Sequence, residues 1–206
     1  YAQAVEQNNA QAQNRLAFSY ENGLGVDADL KRAFELVKKA AEQGYAKAIA
    51  KLGSMYLYGR GVAKDFSKAH DYLLKAAEEG FALAQAYLGD MYHDGKGVAQ
   101  DLKQAEVWYK KAAEYFQKAA EQGDTSAQNN LGWCYLRGEG VGQDYKQAIE
   151  WFQKSAEQGF ANAQNNLGNL YYDGEVIAED YEKAVNWYKN AAEQGLANAL
   201  YNLGWC

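Results

Sequence analysis

Proline is absent from this chain of 206 residues, so every turn that needs an unusual backbone angle relies on its 20 glycines. Histidine occurs twice, at His70 and His93, with no His/Cys cluster around either, which argues against a metal centre and implies no cofactor. No Gly-Lys-Ser/Thr phosphate loop is present, and the Gly-x-Gly-Val stretches follow helical rather than strand patterns, so a dinucleotide fingerprint does not apply. No run approaches the roughly 18 apolar residues of a membrane-crossing helix, so membrane insertion is not expected. Positive charge is in the minority. The net charge of −6 disfavours nucleic acid and anionic membrane as main partners, since both attract basic patches. The acids Asp173, Glu175, Glu179 and Asp180 gather near one loop, but their spacing does not match a calcium loop and reads as solvated charge.

What the chain has instead is repetition. Asn8, Gly44, Gly80, Gly123, Gly159 and Gly195 begin successive units, spaced 36, 36, 43, 36 and 36 residues apart. Four residues after each anchor lie Ala12, Ala48, Ala84, Ala127, Ala163 and Ala199; eight after lie Leu16, Leu52, Leu88, Leu131, Leu167 and Leu203. Tyr20, Tyr56, Tyr92, Tyr135 and Tyr171 follow at twelve. Steps of four make one apolar stripe on a helix. Beside the leucines stand Gly53, Gly89, Gly132, Gly168 and Gly204, with Ala17 in the first unit. A helical glycine costs about 1 kcal/mol against alanine, so its recurrence predicts close approach of a second helix. A Gly-rich loop follows, whose first glycine can end the helix in a left-handed conformation and whose valine is expected to pin the loop to the core. The last copy departs, reading Gly174-Glu-Val176-Ile177. A second helix is predicted from Asp29, Asp65, Asp101, Asp144 and Asp180, each placed to accept free amide N–H groups.

The units are read as 1–7 (partial), 8–43, 44–79, 80–122, 123–158, 159–194 and 195–206 (partial), a single array over 1–206. Ala4-Val5-Glu6-Gln7 resembles the end of a unit and Gly204-Trp205-Cys206 stops inside one, so both ends read as cut from a longer array. The unit 80–122 carries a near-duplicated heptad, Trp108 to Glu114 and Tyr115 to Glu121. Seven residues are almost two turns, so the second helix is expected to be longer by about 10.5 Å with its buried face nearly preserved. The insertion is either a duplication without consequence or a step in the superhelix that reshapes its groove. Cys134 and Cys206 share one repeat position, two units apart. Stacked helices separate them by about 20 Å, too far for a disulfide, and both are expected to act as small core hydrophobes.

The stretch Ala161 to Tyr171, then Asp180 to Ala184, Trp187-Tyr188 and Ala191 to Gly195 resembles the Sel1-like repeat, a relative of the tetratricopeptide repeat. The resemblance covers essentially the whole chain. It implies an all-α fold, a right-handed α-solenoid of antiparallel helix pairs whose first helices line the concave side. It further implies a non-catalytic scaffold or adaptor that binds a protein or peptide there, in a bacterial protein for which periplasmic or secreted placement is the family's hint. Cysteine-rich relatives are linked to penicillin binding or hydrolysis. This chain lacks their paired cysteines, and none of Ser19, Ser54, Ser67, Ser126 or Ser155 is followed three residues on by the lysine such chemistry requires.

By analogy with tetratricopeptide grooves, offsets 3, 6, 10, 13 and 14 from each anchor face the concave side. The best peptide-binding segment on that basis is Asn129, Trp133, Asn165, Asn169 and Tyr172. Asparagine amides offer a donor and an acceptor to an extended backbone, and aromatics supply anchors. Structural assembly by end-to-end self-association through uncapped terminal units is the alternative.

Overall fold

The computed structural model of the chain describes residues 9–206. The partial unit expected at 1–7 and the anchor Asn8 lie outside the described residues. Among these, every regular element is helical: α1 (Ala10–Asn22), α2 (Leu30–Glu42), α3 (Ala46–Tyr58), α4 (Phe66–Glu78), α5 (Ala82–Asp94), α6 (Leu102–Glu121), α7 (Thr125–Arg137), α8 (Tyr145–Glu157), α9 (Ala161–Asp173), α10 (Tyr181–Glu193) and α11 (Ala197–Leu203). The chain divides into two compact units, one ending at Ala112 and the other running from Ala113 to Cys206. In the first, each of α1 to α4 packs on the helix that follows it; in the second, α7 to α10 do the same.

Each pair closes in the same way. The first helices end on left-handed glycines, Gly23, Gly59, Gly95, Gly138 and Gly174, with φ between 66° and 76°. The next helix begins on an aspartate whose own N–H donates to the carbonyl of the repeat tyrosine: Asp29 to Tyr20, Asp65 to Tyr56, Asp101 to Tyr92, Asp144 to Tyr135 and Asp180 to Tyr171, at 2.9–3.1 Å. The aspartate side chains accept from the first-turn amides, as in Asp65 from Lys68 and Asp180 from Lys183, both at 3.0 Å. Those backbone bonds, reinforced by the same lysines' ammonium groups, hold both carboxyls below the usual aspartate range. Val62 and Val98 pack against the first unit's core, as the loop pattern predicts.

The helical glycines are contact points between the two helices of a pair. A Cβ at Gly53 would lie 2.7 Å from Leu73 Cγ; at Gly89, 2.4 Å from Tyr109 Cε1; at Gly132, 2.8 Å from the Phe152 ring; at Gly168, 2.5 Å from the Tyr188 ring. All four partners stand 20 residues on in sequence. In the first unit that register pairs Ala17 with Val37, both fully buried, where the smaller partner leaves room for one methyl group.

A second inter-helix device was not visible in the sequence. Gln85, Gln128 and Gln164 are buried, and their Nε2 groups donate to Ala77 O, Ala120 O and Ala156 O at 3.1–3.2 Å. Gln158 and Gln194 then donate to the Oε1 of Gln128 and Gln164 at 2.8 Å, 30 residues apart. Each of these carbonyls also accepts a backbone N–H, from Gly80, Gly123 and Gly159, so the glutamines add a second bond there that ties one repeat to the next.

The inserted heptad lengthens one helix. α6 has 20 residues where its equivalents have 13. Its buried positions, Ala105, Trp108, Tyr109, Ala112, Ala113, Phe116 and Ala120, keep steps of three and four straight through the duplication. The cysteines part company. Cys134 is buried as expected, and burial pushes its thiol up to about 12. Cys206, expected to be a core residue too, is exposed: α11 ends at Leu203, so this cysteine lies outside the helix, whereas Cys134 stands within α7.

Candidate functional site

In the second unit, α7, α8, α9 and the loop after α9 enclose a cleft of about 330 Å³. Its lining is Trp133, Leu136, Phe152 and Leu170, with Asn166 and Asn169 from α9, the exposed Asp173 and Glu175, and Tyr145 and Val176. A second cleft of about 240 Å³ adjoins it, lined by Asn169, Tyr172, Asp173, Tyr188, Asn202 and Trp205. Asn169 and Asp173 belong to both.

The first cleft lies where the loop sequence departs from its repeat. In two of the other loops, at Gly61 and Gly97, the second glycine runs close over the start of the preceding second helix. A Cβ on Gly61 would fall 2.0 Å from Leu30 O, and one on Gly97 would fall 2.7 Å from Phe66 Cβ. Leu30, Phe66 and Tyr145 are equivalent first residues of α2, α4 and α8, and the glycine position above Tyr145 is filled by Val176. A β-branched side chain carries the Cβ that the approach at Gly61 and Gly97 forbids, and Val176 and Tyr145 both line the cleft. The loop's ends do not change, because Gly174 keeps φ at 67° and Asp180 N still donates to Tyr171 O at 2.9 Å.

The five expected site residues separate into two groups. Trp133, Asn169 and Tyr172 reach the clefts. The Trp133 ring meets Phe152 edge to face at a centroid distance of 5.5 Å, and the Arg137 guanidinium lies over it at 4.7 Å. Tyr172 is 37% exposed and packs edge to face on Tyr181 at 5.5 Å. Asn169 Oδ1 accepts from Tyr188 OH at 2.9 Å and from Asn202 Nδ2 at 3.1 Å, so both bonds fall on its oxygen.

Asn129 and Asn165 do not present open amides. They are 7% and 8% exposed. Asn166 Nδ2 donates to Asn129 Oδ1 at 2.8 Å, and Asn202 Nδ2 donates to Asn165 Oδ1 at 3.0 Å, each 37 residues apart. The asparagine of one repeat thus clasps its neighbour's, and the acceptor expected to meet a peptide backbone is taken up within the fold. Neither residue lines either cleft.

Residues the sequence reading passed over complete the site: Asn166, Leu136, Leu170 and Tyr145. The signal that could have marked their place is the loop departure at Val176, one residue from Glu175. Tyr188, buried beneath Gly168, carries a phenol pushed up to about 12 by burial, with the negative charges of Cys206 and Asp173 adding to it. Among the described residues, no three His, Cys, Asp or Glu side chains stand together as a metal site. Asp180, one of the four acids near this loop, is occupied as the cap of α10 and pairs with Lys183 Nζ at 3.0 Å. No described helix is long and apolar enough to cross a membrane.

Comparison with known proteins agrees with the repeat frame. The Sel1 repeat model matches residues 10–45, 46–81, 82–114, 110–124, 125–160 and 161–196; the two overlapping matches fall on the duplicated heptad. No curated protein matches the chain. Solved structures do. A Sel1 repeat protein from Oxalobacter formigenes is 38% identical, with a TM-score of 0.54 over 96% of this chain and 78% of that one. A protective antigen of uropathogenic Escherichia coli displaying an SLR fold is 33% identical, with a TM-score of 0.51 over 99% of this chain, which spans only 50% of the antigen's length. An immunity protein from Pseudomonas aeruginosa is 26% identical, with a TM-score of 0.58 over 92% of this chain and 67% of that one. Matches along nearly all of the described residues, on an α-solenoid of stacked helix pairs, place this chain in the Sel1 repeat family.

Proposed function

We propose that the chain is a non-catalytic interaction module that binds an extended segment of a protein partner across the two adjoining clefts of its second unit. Sel1 repeat proteins generally mediate protein–protein interaction. The observation that carries the reading to this place is the continuity of the two clefts at Asn169 and Asp173. An extended strand needs successive pockets for alternate side chains and main-chain hydrogen bonding between them. Here an apolar pocket beside Trp133 and a more polar one beside Tyr172 flank the Asn169 amide. Trp133 and Tyr172 are the residue types that dominate binding energy when they sit in such pockets. Asn129 and Asn165 act by holding α7, α9 and α11 in register beneath the site.

Capture of partners from a bacterial lysate on immobilised protein, with mass spectrometry, tests this. Trp133→Leu combined with Tyr172→Ala should remove the partners that the wild type retains while the far-ultraviolet circular dichroism melt stays within a few degrees. An identical set of captured proteins from both would reject the site.

A further inference from the structure

Resting on the peptide-binding reading above, we infer that the cleft under Val176 is a pocket for a basic side chain, an arginine or lysine of the bound peptide. Its lining combines apolar and acidic side chains. Trp133 and Leu170 suit an aliphatic stem, and the exposed Asp173 and Glu175 add two carboxylates. Long cationic side chains bury their methylenes on apolar surface while the charged head stays at a polar edge. The volume of about 330 Å³ falls at the small end of ligand pockets, which suits one side chain rather than a folded domain.

Charge complementarity selects a cation over an apolar anchor. The surrounding basic groups have other partners: Arg137 pairs with Glu139 at 3.5 Å, Lys183 with Asp180 at 3.0 Å, and Lys154 lies over the Trp151 ring at 4.0 Å. Among the described residues no ion pair engages Asp173 or Glu175. Asn166 adds a further acceptor. Its Nδ2 is given to Asn129, so its Oδ1 is the atom left facing the cleft. A guanidinium, with five N–H groups in a planar fork, can meet a carboxylate and this amide oxygen together, which favours arginine. The chain's own net charge of −6 draws a basic segment toward this surface.

Val176, which stands where the repeat places its second glycine, lines the pocket, and this makes the pocket testable apart from the fold. Random dodecapeptides displayed on phage, selected on the wild-type chain, should converge on sequences with arginine or lysine at one fixed position. Replacing that residue by norleucine should weaken binding about tenfold. Asp173→Asn with Glu175→Gln should weaken the basic peptide by up to about fivefold per carboxylate, the range of exposed ion pairs, and leave the norleucine peptide unchanged. Val176→Gly should also weaken it, by letting the loop close over Tyr145. Selected peptides that lack a basic residue but are lost with Trp133→Leu would overturn the basic pocket and leave the peptide-binding reading intact. Failure to select any peptide would overturn both. A basic peptide bound equally well by the doubly neutralised chain would overturn the role of the carboxylates, and with it the inference.

Discussion

At the scale of single residues, the glycine inside each first helix decides how closely a pair of helices can meet. Gly168 lies so near the Tyr188 ring that a Cβ would stand 2.5 Å from two of its carbons. Gly168→Ala gains up to about 1 kcal/mol of helix propensity and incurs an overpacking cost of about 1–3 kcal/mol against a ring with no space to withdraw. We expect a net loss of about 1–2 kcal/mol in urea unfolding. Gly142→Ala, at a position where a Cβ meets nothing within 4 Å, should change stability by less than about 0.5 kcal/mol. The tyrosine over the glycine also sets the residue that follows. Tyr109 OH reaches Asp90 Oδ1 at 2.9 Å and Tyr188 OH reaches Asn169 Oδ1 at 2.9 Å, whereas Phe152, which has no hydroxyl, is met by Trp133. Variation at the tenth offset, legible in sequence as a set of free positions, is therefore partly dictated from within.

Cys134 supplies a pH dependence at the same scale. Burial raises its thiol from an ordinary value of 9.0 to about 12 in the folded chain. The unfolded chain thus releases this proton first as pH rises. The buried thiol's contribution to stability is complete below about pH 9 and is lost as pH climbs through 12. Between about pH 8 and pH 10.5 the wild type should lose about 2 kcal/mol more than Cys134→Met, which places at this position the residue found at Met55 and Met91. Equal losses measured by urea unfolding would show that the thiol plays no part.

At the scale of elements, helix identity and extent were legible because each unit repeats the same apolar stripe, left-handed glycine stop and aspartate start. The duplicated heptad was legible for the same reason: its buried positions continue in phase, so a single 20-residue helix accommodates it. If α6 is continuous, Glu114→Pro, exposed at the junction of the two heptads, removes an internal hydrogen bond and clashes with the preceding turn. The expected cost is about 3 kcal/mol, with a loss of ellipticity at 222 nm. A chain that tolerates this proline would instead hold two short helices there. The loop after α9 was legible only as a departure. That the departure lies at a cleft could not be read from it, because the closeness of Gly61 to Leu30 and of Gly97 to Phe66 is a distance between repeats that no single repeat contains.

At the scale of the whole molecule, the described residues gather into two compact units, in which α1 to α4 and α7 to α10 each pack on the helix that follows. Neighbour-on-neighbour packing explains how much of the chain could be read in advance, since a residue's surroundings recur with the period. It also explains what could not. Trp133, Asn169 and Tyr172 line the clefts whereas Asn129 and Asn165 are buried, because an offset within one helix says which way a side chain points and not what the next repeat lays over it. Asn166 and Asn202, one position further along their own helices, take up those two oxygens across the repeat boundary. The sequence by itself determined the all-helical repeat, its capping and the phase of its insertion, since these depend on interactions within about one period of the chain. Only the tertiary structure decided which polar side chains remain open for a partner and where a cleft forms, since both depend on contacts between residues more than 30 positions apart, made when one repeat stacks on another.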